Sequence, residues 1–487
     1  MEVWVAVATL VVATLIWSWI SNPRVCPGPP LLPILGDLTL FRLFIKGNHL
    51  PKLAEYTKKY GSIVQTKFFA FRRQLFIVTD PEFVRFILRE SKLFPGRSPA
   101  LPIRFVAPKG LLVLPSNDMW KMHRNALTPV LSHKDYLSRY VVEMNEICTR
   151  MMERIPSGVP IDISSLMIRT TLDVICRVGF NYESKSLDDP DSNFLVVSKR
   201  LFEDILVRSM LGFYYHFSKV KVRFETNLKF IQDVAKRAIG VASTAIDSAE
   251  EKSTESSSLK KLNFIAALKG SRETLGEEEI IDESITMLLA GHETTSNTLS
   301  WTLYLLAKHP DLQEKAHHKA ISALEQGSVP DFEALNDGKF QYLEAVIYES
   351  LRHFPTVPFF GRFCSESFEF SGYKFKKNSI FWIAPVVNNM DPKYWDKPEE
   401  FRPERFVGIT PEQESEMRTN KAFLPFGGGN RSCIGKRFAM IETTLILARL
   451  LQRFRFEIDP SCDELRGKSV ITLSPEKPLM VKCILRS

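Results

Sequence analysis

The sequence predicts one large domain that is mostly α-helical with small β-sheets, an α+β chain. Three observations lead there. Apolar residues recur at three- and four-residue spacing through most of Trp120–Arg272 and again from Glu277. Runs that alternate like strands gather in Ser62–Thr79 and Phe368–Ile383, and no Gly/Ser-rich or Pro-rich linker divides the chain after residue 36. Strands therefore stand apart from a helical majority, which argues against repeated βαβ units. No internal repeat is found.

From the N-terminus, Val3–Ile20 is an uncharged apolar run long enough to cross a bilayer as a helix, with Trp4, Trp17 and Trp19 near its ends. Glu2 stands where a signal peptide carries basic residues, and no Ala-x-Ala site follows, so residues 1–21 are expected to remain as a single-span anchor. Arg24, just past the run, places the large domain on the cytoplasmic side. Residues 22–36, with Cys26-Pro27-Gly28-Pro29-Pro30, Pro33 and Gly36, predict a stiff non-helical hinge that spaces membrane from domain. Residues 37–487 form that domain. Leu50–Tyr60 reads as a helix, Ser62–Phe69 and Gln74–Thr79 as a hairpin, and Pro81–Glu90 as the next helix. The helical stretch from Trp120 breaks at Pro156–Pro160 and at Asp189-Pro190-Asp191. Asp247–Lys261, rich in Ser, Glu and Lys, reads as a solvated loop. Helices resume over Glu277–His309 and Phe340–Arg352, with short strands in Phe368–Phe375 and Ile380–Ile383.

Lys and Arg number 64 against 56 Asp and Glu, a formal charge of +8, but no dense basic run with interleaved aromatics is present, which argues against nucleic acid. A membrane surface or an acidic protein partner fits the charge better. The seven cysteines are scattered without a CxxC pair, the usage of a reducing compartment. The 35 Phe point to an interior able to hold apolar ligands.

The most informative segment is Phe426-Gly427-Gly428-Gly429-Asn430-Arg431-Ser432-Cys433-Ile434-Gly435. Its order suits a loop that holds a thiolate under a haem. The glycines would let the backbone approach a flat macrocycle and aim amides at sulfur. Gly435–Phe454 reads as a helix whose N-terminal partial charge falls beside Cys433 and is expected to depress its pKa. Arg431 can pair with a haem propionate. A buried cysteine in a Gly-rich turn is the bland alternative, and it leaves the other fixed positions unexplained. The pattern Phe-x-x-Gly-x-Arg-x-Cys-x-Gly, with Phe426, Gly429, Arg431, Cys433 and Gly435, is similar to the signature of the cytochrome P450 family.

A second segment, Glu283–Ala307, is apolar nearly all round and should run through the core. Its middle, Ala290-Gly291-His292-Glu293-Thr294-Thr295, combines a small-residue gap, an acid and hydroxyls. Such a notch could hold dioxygen and water, with Thr294 carrying a proton relay and Glu293 feeding it. The segment resembles the family's oxygen-binding helix. Isomerase and dehydratase members tend to lose the acid-alcohol pair, so its presence favours monooxygenation.

Glu349-Ser350-Leu351-Arg352 sets a carboxylate and a guanidinium one turn apart, a spacing that is common by itself. Its place ahead of Pro403-Glu404-Arg405-Phe406 resembles the family order, which implies a buried triad of Glu349, Arg352 and Arg405. Trp120 and Arg124 match the family's Trp-x-x-x-Arg helix and are expected at a haem propionate. Arg362 resembles another propionate-binding arginine. Asn389-Met390 depart from the family pattern, with an expected effect on local packing alone. His123, His292 and the other histidines read as ordinary.

The resemblance implies a P450-type fold with haem b and its iron, Cys433 as axial ligand, and monooxygenation of a lipophilic substrate. The chain has no flavin or ferredoxin region of its own, so a separate NADPH-dependent flavoprotein reductase is implied, with cytochrome b5 as a further electron donor. Lys121, Lys421, Lys436 and Arg437 would form its docking face. The expected location is the endoplasmic reticulum membrane, catalytic domain facing the cytoplasm. Ile103, Phe105 and Val106, then Phe202–Phe217 with Phe213, Tyr214 and Tyr215, then Val357, Phe359 and Phe360, are the pocket candidates. Thr171-Leu172-Asp173-Val174-Ile175-Cys176 is similar to the branch of fatty-acid, sterol and carotenoid hydroxylases, so the substrate is expected to be a fatty acid, sterol, carotenoid or other isoprenoid. Two other readings stay open: an isomerase or dehydratase of lipid hydroperoxides that needs no reductase, and a non-enzymatic haem-binding membrane protein.

Overall fold

In a computed structural model, Thr9, Ala13 and residues 24–486 are described, apart from 33–35, 69–72, 98–101, 190–192, 212–214, 217, 251–262, 270–274 and 326. Helices α1 (Leu38–Lys46), α2 (Leu50–Tyr60) and α3 (Pro81–Arg89) surround the first strands. A helical body follows in α4 (Asp118–Ser132), α5 (Lys134–Glu153), α6 (Ile163–Phe180), α7 (Asn193–Leu211), α8 (Lys219–Glu250) and α9 (Phe264–Lys269). It continues through α10 (Glu277–Lys308), α11 (Pro310–Ser322), α12 (Phe332–Asn336) and α13 (Gln341–His353). After a sheet region come α14 (Pro385–Asn388), α15 (Pro411–Asn420) and α16 (Lys436–Arg453). The α+β expectation holds, helix-dominated with segregated sheets.

The main sheet takes strands in the order β1 (Ile63–Thr66), β2 (Leu75–Val78), β8 (Ile380–Ile383), β5 (Phe360–Phe363), β3 (Gly96–Arg97), with β2 and β8 parallel and the other pairs antiparallel. Phe368–Phe375 resolves into a hairpin of β6 (Phe368–Phe370) and β7 (Tyr373–Phe375), turned at Ser371 and Gly372, both with positive φ. Near the C-terminus, β12 (Met480–Leu485) pairs with β4 (Pro160–Asp162) and β9 (Phe454–Ile458), while β10 (Gly467–Ser469) and β11 (Leu473–Pro475) form a second hairpin. Periodicity misses β4, β9 and β12 because partners far along the chain hold them, and it misses β10 and β11 because each is only three residues long.

Why α10 can cross the core is visible in its polar residues. Ser284, Thr286, Thr294, Thr295, Thr298 and Thr302 each donate a hydroxyl to the carbonyl four residues back, so buried oxygens are satisfied within the helix. Trp301, fully buried, stacks on Phe354 at 4.0 Å and donates its indole N–H to the Leu473 carbonyl at 2.9 Å, which anchors the β10–β11 hairpin beside the helix.

One expectation needs correction. Asp247–Lys261 was expected to be a loop, but α8 extends to Glu250, and 251–261 lie outside the described residues. The segment expected to be a stiff hinge is tied to the domain from residue 25 onward. Gln65 Oε1 accepts from Val25 and Cys26 N–H, Gln65 N–H donates to Pro27 O at 2.9 Å, and a Cβ on Gly28 would meet Gln65 O at 2.0 Å, so this stretch is docked on β1. The expected anchor lies outside the described residues except Thr9 and Ala13. Among the described residues, no helix is long and apolar enough to cross a membrane.

Candidate active site

The Cys433 loop closes on itself, with Cys433 N–H donating to Phe426 O at 2.8 Å ahead of the 3-10 turn Gly429–Arg431 and α16. Gly429 sits at φ +68°, and a Cβ there would lie 2.3 Å from the Leu88 carbonyl oxygen at the end of α3. A Cβ on Gly428 would meet the Leu88 side chain at 2.8 Å. Contact with α3 demands these two glycines, a constraint that the sequence reading did not foresee.

Cys433 keeps an accessible face in a cleft of about 90 Å³ that Phe426, Ser432 and Lys436 also line. A second correction concerns its thiol. Desolvation by the surrounding wall raises the pKa, and the Gly435 N–H and the charges of Arg97, Arg124 and Lys436 act against it without prevailing. The expected depression at the start of α16 is therefore outweighed.

Beside the cysteine lies a group of cations. Arg431 donates to the carbonyls of Leu111 (3.2 Å) and Leu114 (2.5 Å) and to Ser116 Oγ at 2.9 Å, and its guanidinium stacks 4.3 Å above the Trp120 ring. Arg124 donates to Ser432 O at 3.1 Å and Arg97 to Arg431 O at 3.4 Å. Arg362 on β5 is 4% exposed, and among the described residues its one acceptor is the Gly361 carbonyl. Burial, then mutual repulsion, lowers Arg362 and Arg431 to about 9. None of the four has a carboxylate partner among the described residues, and Trp120 Nε1 and Arg97 Nε are buried without any acceptor. Four cations and two orphaned donors around one space are what a dianionic ligand edge would satisfy.

On α10, Ala290, Gly291, Glu293 and Thr294 keep partial exposure in an otherwise buried helix. Thr294 Oγ1 donates to Ala290 O at 2.7 Å. Glu293 does not reach Thr294, because adjacent helical side chains diverge by about 100°. Its Oε1 accepts instead from Thr472 Oγ1 at 2.8 Å, and Thr472 in turn accepts from Asn297 Nδ2 at 3.2 Å. Desolvation raises Glu293 to about 7, with the Thr472 bond pulling against it. The notch at Gly291, expected to hold dioxygen, is filled from behind by Ile175, whose Cδ1 lies 2.9 Å from where a Cβ would be.

Glu349 and Arg352 are fully buried and share a bidentate pair at 2.8 Å for both bonds. Arg405 Nε reaches Glu349 Oε1 at 3.3 Å and the Arg402 N–H reaches it at 2.9 Å. Burial alone would raise the carboxyl, but bonds from Arg352 and His353 and the nearby charges hold it at about 2. Asn389 takes a larger part than local packing. Its carbonyl accepts from Arg352 Nη1 at 2.8 Å and its Nδ2 donates to Arg352 O, while Met390 Sδ lies 3.6 Å from the same guanidinium.

A family model for cytochrome P450 matches residues 26–483. The chain is also 30% identical over 478 residues to cytochrome P450 3A5 of Homo sapiens, covering 94% of this chain and 90% of that protein. The chain belongs to the cytochrome P450 family. It is 28% identical to cytochrome P450 3A15 of Cavia porcellus (94% and 91% covered) and 26% identical to cytochrome P450 3A6 of Oryctolagus cuniculus (100% and 97% covered). It is thus a P450 monooxygenase, and the family implies haem with its iron. The anion-deficient cation group fits the propionates of that group, and the accessible Cys433 fits its metal.

The sequence reading of this P450 missed several residues at the site. Arg97 ends the two-residue strand β3, which is too short to show a periodicity. Thr472 stands 179 residues from the acid it holds. His123, read as ordinary, sits between Trp120 and Arg124 and its Nδ1 meets Glu283 Oε1 at 2.6 Å, both side chains fully buried, which ties α4 to α10. Among pocket candidates, Phe359 packs on Phe44, His49 and Trp382 beneath the sheet, so it is a core residue. Ile103 and Val106 are core as well, and Phe213 and Tyr214 lie outside the described residues. The expected docking cations are already engaged: Lys121 with Asp118, Lys436 with Glu414, Lys421 over the Trp395 ring, and Arg437 on the Ser132 carbonyl.

Proposed function

We propose that this P450 hydroxylates a C–H bond of a lipophilic substrate, a fatty acid, sterol, carotenoid or other isoprenoid, with electrons from NADPH through a separate flavoprotein reductase. The observation that carries the reading is Glu293: a carboxyl held near neutral pH in the middle of α10 and bonded by the Thr472 hydroxyl has the properties of a proton donor that a carrier or sensor does not need. Per turnover, substrate, O2, two electrons and two protons become the hydroxylated product and water. Bound haem supplies dioxygen activation, and a cysteine thiolate favours O–O cleavage.

The chain's own residues do the rest. Cys433 would be the iron ligand, with Phe426 and Gly435 framing its loop. Arg97, Arg124, Arg362, Arg431 and Trp120 would hold the propionates. Thr294 already spends its proton on Ala290 O, so its oxygen acts as an acceptor that holds water, and Glu293, oriented by Thr472, supplies the proton. The Val3–Ile20 run and Arg24 support a single-span anchor in the endoplasmic reticulum membrane, domain to the cytoplasm. Lys121, Lys421, Lys436 and Arg437 offer positive charge to a reductase or cytochrome b5, since exposed ion pairs exchange partners cheaply.

Two measurements test this. Titration of the ferric holoprotein with fatty acids, sterols and carotenoids should give a saturable low-to-high-spin shift of the Soret band. Absence of the band overturns the haem assignment, and a band unmoved by every lipid overturns the substrate class. The second uses pH. Glu293 is raised to about 7, so it is protonated below and ionised above that value; product formed per electron consumed should fall as pH rises through about 7. The folded state binds the extra proton between about 4.5 and 7, so this group's stability contribution also declines across that window. Glu293→Gln should lower coupled turnover about 100-fold and abolish the limb; an unchanged profile would remove Glu293 from the relay.

A further inference from the structure

Arg208, near the C-terminal end of α7, has its guanidinium carbon within 4.3 Å of the Phe105 ring centroid, 4.9 Å of Tyr215 and 4.8 Å of Phe224. Three rings enclose a cation that has neither an ion pair nor a hydrogen bond among the described residues. Asp204, four residues earlier on the same helical face, is committed to Arg223, whose Nε lies 3.0 Å from both carboxylate oxygens. Tyr215 is 2% exposed, and its hydroxyl is buried with no partner. A half-buried guanidinium without an acceptor and a buried hydroxyl without a partner therefore share one aromatic cage.

The cage is linked to the reaction site at two points. Phe105 begins the segment whose Leu111 and Leu114 carbonyls hold Arg431, and whose Lys109 N–H bonds Asp282 on α10 at 2.7 Å. At its other end α7 sets Phe194 against His292, the neighbour of Gly291, at 5.9 Å. From Phe194 to Arg208 is about 21 Å along the helix at 1.5 Å per residue.

Resting on the lipophilic-substrate reading above, we propose that Arg208 and the Tyr215 hydroxyl form a carboxylate subsite that anchors the acidic end of a long-chain substrate. The guanidinium fork matches a carboxylate with two N–H donors, and the phenol adds a third. A monoanion balances Arg208, whereas a dianionic head would add a second negative charge beside Asp204 and Glu225, whose fields already reach Tyr215; Arg104 lies on the same Phe105 ring but farther out, at 5.2 Å. The aromatic walls exclude water, which strengthens the pair and suits the methylenes next to the carboxylate.

The test compares a saturated long-chain acid, its methyl ester and its primary alcohol in Soret titrations of full-length holoprotein. The wild type should bind the acid roughly 10- to 100-fold more tightly than the ester, the size expected of charge-assisted hydrogen bonds. Arg208→Gln should bring the acid down to the affinity of the ester and leave the ester unchanged, which also shows that the variant folds. Arg208→Lys should keep part of the preference, and Tyr215→Phe should lose severalfold for the acid alone. Equal wild-type affinity for acid and ester, with either giving a spectral shift, overturns the subsite but leaves the lipophilic-substrate reading standing. So does an acid preference that survives in Arg208→Gln. No response to any lipid overturns the underlying reading as well. Vesicles of phosphatidylcholine with and without phosphatidylserine separate the other source of anion: an Arg208→Gln variant that loses vesicle binding while keeping acid preference assigns the cation to a lipid headgroup and overturns the proposal.

Discussion

Glu349→Ala is expected to yield little haem-loaded protein and to lower unfolding stability by about 3–5 kcal/mol. Glu349 accepts from Arg352 Nε and Nη2, the Arg402 N–H and Arg405 Nε, and both it and Arg352 are fully shielded from water. Truncation leaves the Arg352 guanidinium with the Asn389 and Glu400 carbonyls but no counter-charge. Against a typical total of about 5–15 kcal/mol, that loss is roughly a fifth or more of the margin. The pair also sets an acid limit. Glu349 is held at about 2, so its contribution is complete above the unfolded value of about 4.5 and is lost as pH falls towards 2. Denaturant unfolding of wild type and variant at pH 7 and pH 4 measures both effects. A variant with normal holoprotein yield and an unchanged midpoint would falsify the triad.

Cys433→Ala should abolish monooxygenation, by at least about a thousandfold or about 4 kcal/mol at the transition state, while leaving the apoprotein folded. The two halves of this prediction have different causes. The other six cysteines are all buried, so the lost sulfur has no accessible substitute. Cys433 faces an accessible cleft outside the packed core, so its truncation opens no buried cavity, and the apoprotein should melt within about 1 kcal/mol of the wild-type apoprotein. The spectrum of the reduced carbon monoxide complex reads the first half, and thermal unfolding of the two apoproteins reads the second. Retention of a thiolate-type carbonyl spectrum in the variant would remove Cys433 as the ligand.

What was legible beforehand divides along a physical line. The Cys433 loop, the Glu349–Arg352 turn and the Glu293–Thr294 pair are each contained in a few consecutive residues, so sequence order alone marks them, and for Glu349 and Arg352 the helical turn also brings the side chains together. The course of α10 follows from its apolar circumference for the same reason. α1, capped by Asp37 and ended by Gly47 in the left-handed region, could have been read from its caps. By contrast α15 has no fully buried residue and no apolar stripe, so its Thr410–Gln413 capping box is the signal that marks it.

By itself, then, the sequence determined the helix-dominated class, the thiolate loop and the acid-alcohol pair, since each depends on spacing within a turn or two of backbone. Only the tertiary structure decided that Glu293 turns to Thr472, that Gly429 serves Leu88, that His123 meets Glu283, and that Arg208 and Tyr215 share one cage without polar partners among the described residues. These outcomes depend on which distant segments exclude water from one another, and desolvation, which sets the cost of an unpaired charge, is a property of the packed volume and not of the order of residues.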